Sequence, residues 1–175
     1  KAGSGTPTVV VNLSTSLVVE DAAREHGARF FRAPVGEAHV ARMIRDEGAV
    51  IGGEGNGGVI LPSVHIGRDA PVGVALILQL LVESGQTVSG LVAAAPRYHI
   101  VKAKAPRGAD LAPAYLALRK RFATVDDRDG LRLSWPDRWV HFRPSGTEPI
   151  IRFIAEAPTA ADAEQLIEAC RTLLR

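Results

Sequence analysis

The chain has 175 residues, enough for one large or two small domains, each with its own core. Its 46% hydrophobic and 23% charged content is that of a soluble globular protein, and a net charge of +2 with scattered basic residues gives no nucleic-acid footprint. No apolar run reaches the roughly 18 residues of a membrane span and no secretory leader is visible.

The single cysteine, Cys170, cannot form an internal disulfide, so a reducing compartment, the cytoplasm, is expected. TVVVNL (8–13) is a β-branched run that predicts a buried strand. Ser16 can cap a helix running to about His26, with Gly27 as its stop. ARFF predicts a second strand. A helix from Gly36 to Glu47 follows, with Val40, Met43 and Ile44 on one face, and AVIG (49–52) predicts a third strand. Strands alternating with helices imply an α/β domain with a mixed, largely parallel sheet. Beyond the loop GGEGNGG (52–58), VILPSV is extended and holds Pro62. Asp69 caps a helix to Glu83 that is apolar nearly all round, so burial on most sides is expected. TVSGLVAAAP breaks the helical pattern, and Pro96 marks a boundary between domains at 1–95 and 96–175.

After Pro96 the pattern changes. YHIVKAKA predicts a strand, and DLAPAYLALRKRF a helix with Leu111, Tyr115, Leu118 and Phe122 on one stripe. A turn at DDRDG leads into LRLSW, Pro136-Asp137 makes a tight turn, WVHF returns, and IIRFIAEA adds another strand. The last helix opens on a Thr159/Asp162 capping box and keeps Ala163, Leu166, Ile167, Cys170, Leu173 and Leu174 on one face. Cys170 on that stripe reads as core filler, not as a nucleophile. Together these segments predict a small α+β domain with an antiparallel sheet and two helices. Lys1 leads almost directly into a strand, as expected of a fragment of something longer.

Two loops carry chemistry. GGEGNGG contains G-x-G-x-x-G (Gly53, Gly55, Gly58), but the dinucleotide fingerprint opens a helix, and an extended segment follows here. On spacing alone two readings stay open, a flexible linker and a clamp for vicinal hydroxyls built from Glu54 and Asn56. The second loop is RPSGTEP (143–149). Arg143 can pair bidentately with a phosphate, Ser145 and Thr147 add hydroxyls, and Gly146 lets backbone N–H groups form an anion nest. The plain alternative is a polar hairpin loop with a solvated arginine.

GGEGNGGVI together with RPSGTEPIIRF resembles the α-D-phosphohexomutase superfamily, of phosphoglucomutase/phosphomannomutase and phosphoglucosamine mutase type, over nearly the whole chain. PVGEAHV is similar to the family's helix start before its sugar loop, and Pro96 fits the junction of its third and fourth domains. The resemblance implies that Glu54, with Gly55, Asn56, Gly57 and Gly58, contacts sugar hydroxyls. It also implies that Arg143, Pro144, Ser145, Gly146 and Thr147 hold the substrate phosphate. The family's phosphoserine motif, T-x-S-H-N-P-like, and its magnesium loop, D-G-D-x-D-R, do not occur in this chain. Asp126-Asp127-Arg128-Asp129 imitates the second in composition only and reads as a turn. No catalytic or metal-binding residue is therefore assigned to this chain.

By that resemblance the parent enzyme interconverts hexose 1-phosphate and hexose 6-phosphate through a hexose bisphosphate, using an enzyme phosphoserine and Mg2+ held outside this chain. This part would position the substrate. Its partners would be the hexose phosphate and the N-terminal domains of the parent, with neither nucleic acid nor membrane. A glucose or mannose phosphate is the expected substrate. G-T-E-P, shared with the glucosamine enzymes, makes phosphoglucosamine mutase the alternative, and a non-catalytic phosphosugar-binding module is the rival of another class. His26 and His39 on helices, and His99 and His141 on strands, read as surface or satisfied core histidines. His65 and Arg68 in HIGRD could reach a ligand, although Arg68 can equally pair with Asp69.

Overall fold

The computed structural model describes residues 5–107, 112–121 and 124–173. Two compact units divide the chain, Lys1–Pro96 and Arg97–Arg175.

In the first unit, strands β1 (Thr8–Asn12), β2 (Arg29–Ala33), β3 (Ile51–Gly53) and β4 (Val59–Ile60) form one sheet in the order β2-β1-β3-β4. β1 is parallel to β2 and β3, and β4 returns antiparallel to β3. Parallel neighbours need crossovers, which α1 (Leu17–Glu25) and α2 (Glu37–Glu47) supply. Ser16 starts α1 by accepting from the Val18 N–H at 3.1 Å. α2 lays Val40 and Ile44 against Val10, Ala33, Ala49 and Ile60 to make the core of this unit. Burying a valine or isoleucine there contributes ~1.5–3 kcal/mol.

The third helix departs from expectation. α3 (Ala70–Ser84) is capped as predicted, with Asp69 accepting from Val72 N at 3.0 Å, but it has no buried residue. Val74 is 59% exposed and Val82 84%. Within its unit α3 rests on β4, a strand of two residues, and so short an edge cannot cover a helix that is apolar on every side. The segment expected to break the pattern is instead α4 (Val88–Ala94), bent 86° from α3. Thr87 Oγ1 accepts from Gly90 N at 3.1 Å, so a good cap outweighs the weak propensity of an internal glycine. Among the described residues no single helix is long and apolar enough to cross a membrane.

The second unit holds an antiparallel sheet in the order β5-β9-β8-β7-β6, built from β5 (His99–Pro106), β6 (Val125–Asp126), β7 (Leu131–Ser134), β8 (Trp139–Pro144) and β9 (Ile150–Ala157). Alternation along β7, β8 and β9 sends Leu131, Leu133, Val140, Phe142, Ile151 and Phe153 to one buried cluster. α5 (Ala112–Arg121) adds Leu118 to that cluster, and α6 (Ala160–Leu173) adds Ala163, Ile167 and Cys170. Leu111 and Phe122, the outer positions of the predicted α5 stripe, lie outside the described residues, as do Leu174 and the side chain of Leu173. The capping box is present, with Asp162 N donating to Thr159 Oγ1 at 3.1 Å. Burial pushes the Cys170 thiol up to about 12, which leaves it inert at neutral pH.

On the opposite face of this sheet, polar side chains are buried beside an aromatic one. Trp139 donates its indole N–H to the buried Glu156 carboxylate at 2.7 Å, and the Arg132 guanidinium lies 5.0 Å from the Trp139 ring.

Candidate functional site

Residues 54–58 connect β3 to β4, and the hairpin closes through Glu54 N to Gly58 O at 2.9 Å. Glu54 lies just past the carboxyl end of a strand parallel to β1, and Asn12 ends β1 beside it. Ligands in α/β sheets gather at such ends. Glu54 is only 8% exposed. Its Oε1 accepts from Asn12 Nδ2 at 3.1 Å and from the Gly36 N–H at 3.2 Å, and its Oε2 lies 3.5 Å from Arg68 Nη1. Asn12 is itself held, since its Oδ1 accepts from Ser14 N and Thr15 Oγ1. Gly55, Asn56 and Gly57 are exposed at the loop tip, and Asn56 Oδ1 accepts from Gly58 N at 3.3 Å. A Cβ at Gly55 would stand 2.5 Å from Ser14 O, and main chain cannot yield as a flexible side chain does. Only glycine lets the loop lie this close to the end of β1.

Arg68 does not pair with Asp69, which is occupied in capping α3. Its main-chain N–H and Nε donate to Glu37 at 2.8 and 2.9 Å, and those two bonds hold the Glu37 carboxyl below the usual range. Asn12, Glu37, Glu54 and Arg68 thus form one polar network, and the exposed His65, which bridges to Leu61 by main chain, adds its ring's charge to those that lower Glu37. An open cleft of about 910 Å³ runs from Asn56, Gly57 and Arg68 along Val74, Ile77 and Leu78 of α3. Its size suits a small polar ligand with one apolar wall. Glu37 lies within PVGEAHV (34–40), which the sequence marks as a helix start and not as a site, and Asn12 carries no motif of its own. The one clue was a polar residue ending an apolar strand.

Residues 145–149 connect β8 to β9. Ser145 N donates to Ile150 O at 2.9 Å, and Ser145 Oγ accepts from Thr147 N at 3.4 Å and Glu148 N at 3.3 Å. Its oxygen also lies 3.4 Å from Thr147 Oγ1, which brings both predicted hydroxyls to one point. Gly146 and Thr147 are exposed. Arg143, near the end of β8, is not freely solvated. Its Nη1 reaches both carboxylate oxygens of Asp129 at 3.3 Å.

The acidic turn does not fit magnesium. Asp126 is bonded by Arg128, Asp127 by Arg119 and Asp129 by Arg143, so each carboxylate already has a cation. Among the described residues no group of three or more His, Cys, Asp and Glu side chains could hold a metal ion.

His141, 2% exposed on β8, places Nε2 2.6 Å from the Asp129 carbonyl oxygen. A carbonyl only accepts, so Nε2 carries the proton. Burial pushes the pKa of this imidazole below its ordinary 6.5, with the Asp129 carbonyl opposing. The unfolded chain therefore binds more protons than the folded one below that ordinary value. The stability from a neutral His141 is complete above it and is lost as pH falls through the lowered folded value. Thermal melts taken from neutral pH to about pH 5 should show this fall. His141→Gln, which can still donate to Asp129 and does not titrate, should flatten it.

Residues 1–98 match the model of phosphoglucomutase/phosphomannomutase α/β/α domain III, and residues 100–173 match that of the phosphoglucomutase/phosphomannomutase C-terminal domain. The chain belongs to the phosphoglucomutase/phosphomannomutase family. A Methanopyrus kandleri protein named "Probable phosphoglucosamine mutase" is 40% identical over 167 residues, covering 93% of this chain and 37% of that protein. A Thermococcus kodakarensis phosphoglucomutase/phosphomannomutase is 36% identical over 169 residues, covering 94% of this chain and again 37% of the relative. A solved phosphoglucomutase/phosphomannomutase family protein from Burkholderia thailandensis superposes with a TM-score of 0.78 at 22% identity, covering 97% of this chain and 37% of that one. At that identity the likeness is one of fold. The chain spans about 37% of the length of the curated relatives it matches.

Proposed function

We propose that this chain is the substrate-binding C-terminal part of a phosphohexomutase that interconverts hexose 1-phosphate and hexose 6-phosphate. The observation that carries this reading is the Arg143/Ser145/Thr147 loop. It combines a guanidinium held at one edge with two hydroxyls and exposed backbone at a single hairpin. The long bonds from Thr147 N and Glu148 N to Ser145 Oγ are of a length that a phosphate oxygen can replace with shorter, charge-assisted ones. In the first unit, Asn56 at the loop tip, with Glu54 and Arg68 behind it, offers donors and acceptors to sugar hydroxyls. The loop of the second unit offers a grip for a phosphate and the loop of the first a grip for hydroxyls, so positioning is what this part supplies. The serine nucleophile and the magnesium ligands belong to the remainder of the protein. Glucose and mannose phosphates are the favoured substrates. Glucosamine phosphate is a second reading, supported by the name of the Methanopyrus relative.

Glu54→Gln tests the sugar handle. The sequence predicts a loop with little packing, whereas the carboxylate is buried and answers three donors. A glutamine sets its NH2 against one of those donors, so a stability loss of ~1–3 kcal/mol is expected. If Glu54 also serves the ligand, kcat/KM should fall about ten- to a hundredfold at temperatures where the variant is fully folded. Unchanged kinetics with lowered melting would make Glu54 structural only. The function itself is tested by assaying the full-length protein, with magnesium and a hexose bisphosphate, on glucose, mannose and glucosamine 6-phosphates. Turnover of none of them would overturn it.

A further inference from the structure

The acidic turn, set aside as a metal loop, has a different use. We infer that Asp129 is a positioning residue for Arg143, fixing which edge of the guanidinium is offered to phosphate. This rests on the reading of RPSGTEP as the phosphate loop.

Three contacts seat the turn against Arg143. The Asp129 carboxylate accepts from Nη1 through both oxygens at 3.3 Å. Its main-chain carbonyl is fastened from beneath by the buried His141 ring at 2.6 Å. Gly130 follows with φ +75°, and a Cβ there would meet Phe142 O and Arg143 Cβ, both at 2.5 Å. The main chain of the turn therefore lies directly on the main chain of Arg143, in a conformation that favours glycine. Asp126 and Asp127 bond to Arg128 and Arg119, which leaves Asp129 as the carboxylate of the turn that reaches the loop.

The consequence is geometric. With Nη1 engaged, the remaining donor edge of Arg143 is Nε with Nη2, and among the described residues neither has a hydrogen-bond partner. Such an edge matches two oxygens of one phosphate. Without Asp129 the side chain would sample several rotamers, and binding would have to order it.

The test is a double-mutant cycle in the full-length protein, reading the dissociation constant of glucose 6-phosphate by calorimetry. Asp129→Ala should weaken binding on the order of five- to tenfold, an effect expected of residues in direct contact. In an Arg143→Ala background the same change should have no further effect. Asp129→Asn should restore affinity to at least the wild-type level, because its amide oxygen still accepts from Nη1 and one negative charge near the phosphate is gone. A merely structural role would lower melting in both backgrounds and would not distinguish phosphorylated from free glucose. Unchanged affinity in Asp129→Ala while Arg143→Ala loses affinity would overturn the inference alone. An equal loss in both backgrounds would overturn it too. No effect of Arg143→Ala would overturn the phosphate-loop reading, and this inference with it.

Discussion

Arg143→Ala in the full-length protein is expected to lower kcat/KM for hexose phosphates by about a hundredfold. A bidentate guanidinium–phosphate pair is charge-assisted on both sides, and hydrogen bonds to charged groups contribute ~1.5–3 kcal/mol each. Arg143→Lys should recover little of this. Lysine keeps the charge but cannot bond Asp129 and present a planar two-donor edge at the same time. The effect on stability should be small by comparison. The Arg143 and Asp129 side chains are 32% and 21% exposed, and a pair so near the surface contributes at most about 1 kcal/mol. A kinetic loss that far exceeds the melting change is the signature of a ligand-binding arginine. Steady-state rates and thermal melts on the same preparations would separate the two.

Trp139→Ala should be the most damaging single change to folding, at ~3–5 kcal/mol from the cavity alone. Trp139 is fully buried at the start of β8, the strand that carries Arg143. Removing the ring also takes the indole donor from Glu156, which is 1% exposed and bonded at 2.7 Å. Loss of that donor removes one charge-assisted bond from the buried Glu156 and adds to the cavity cost. Trp139→Phe isolates this part, since it keeps most of the volume and loses the N–H. Urea melts should rank wild type above Phe and Phe above Ala. A Phe variant as stable as wild type would mean that the indole–carboxylate bond contributes nothing.

Most of the architecture was legible because it is local. Short strand-like runs such as LRLS and WVHF set off by turns, the caps at Ser16, Asp69 and Thr159, and the glycine stops lie within a few residues of what they determine. The two loops stood out as candidate sites because each clusters polar side chains among glycines, although a linker and a plain hairpin would read the same on spacing alone. What stayed hidden depends on contacts far apart in sequence. Glu54 is buried by Asn12, 42 positions away, and Arg143 is paired with Asp129, 14 positions away. No periodicity encodes either contact. The α3 helix fails differently. An all-round apolar surface predicts cover from every side, but one helix sequence does not specify which neighbours provide it, and β4, on which it rests within its unit, is too short to do so.

The claim that this chain grips a phosphosugar by its phosphate is tested most directly by calorimetric titration of glucose 1-phosphate, glucose 6-phosphate and unphosphorylated glucose into the full-length protein and its Arg143→Ala variant. Both phosphates should bind wild type and should lose about ten- to a hundredfold in affinity in the variant, because on the proposed reading the same loop takes the non-reacting phosphate of either isomer. Free glucose, held by the other loop, should be unaffected. Equal binding of both phosphates by wild type and Arg143→Ala would contradict the claim and leave RPSGTEP as a turn between two strands.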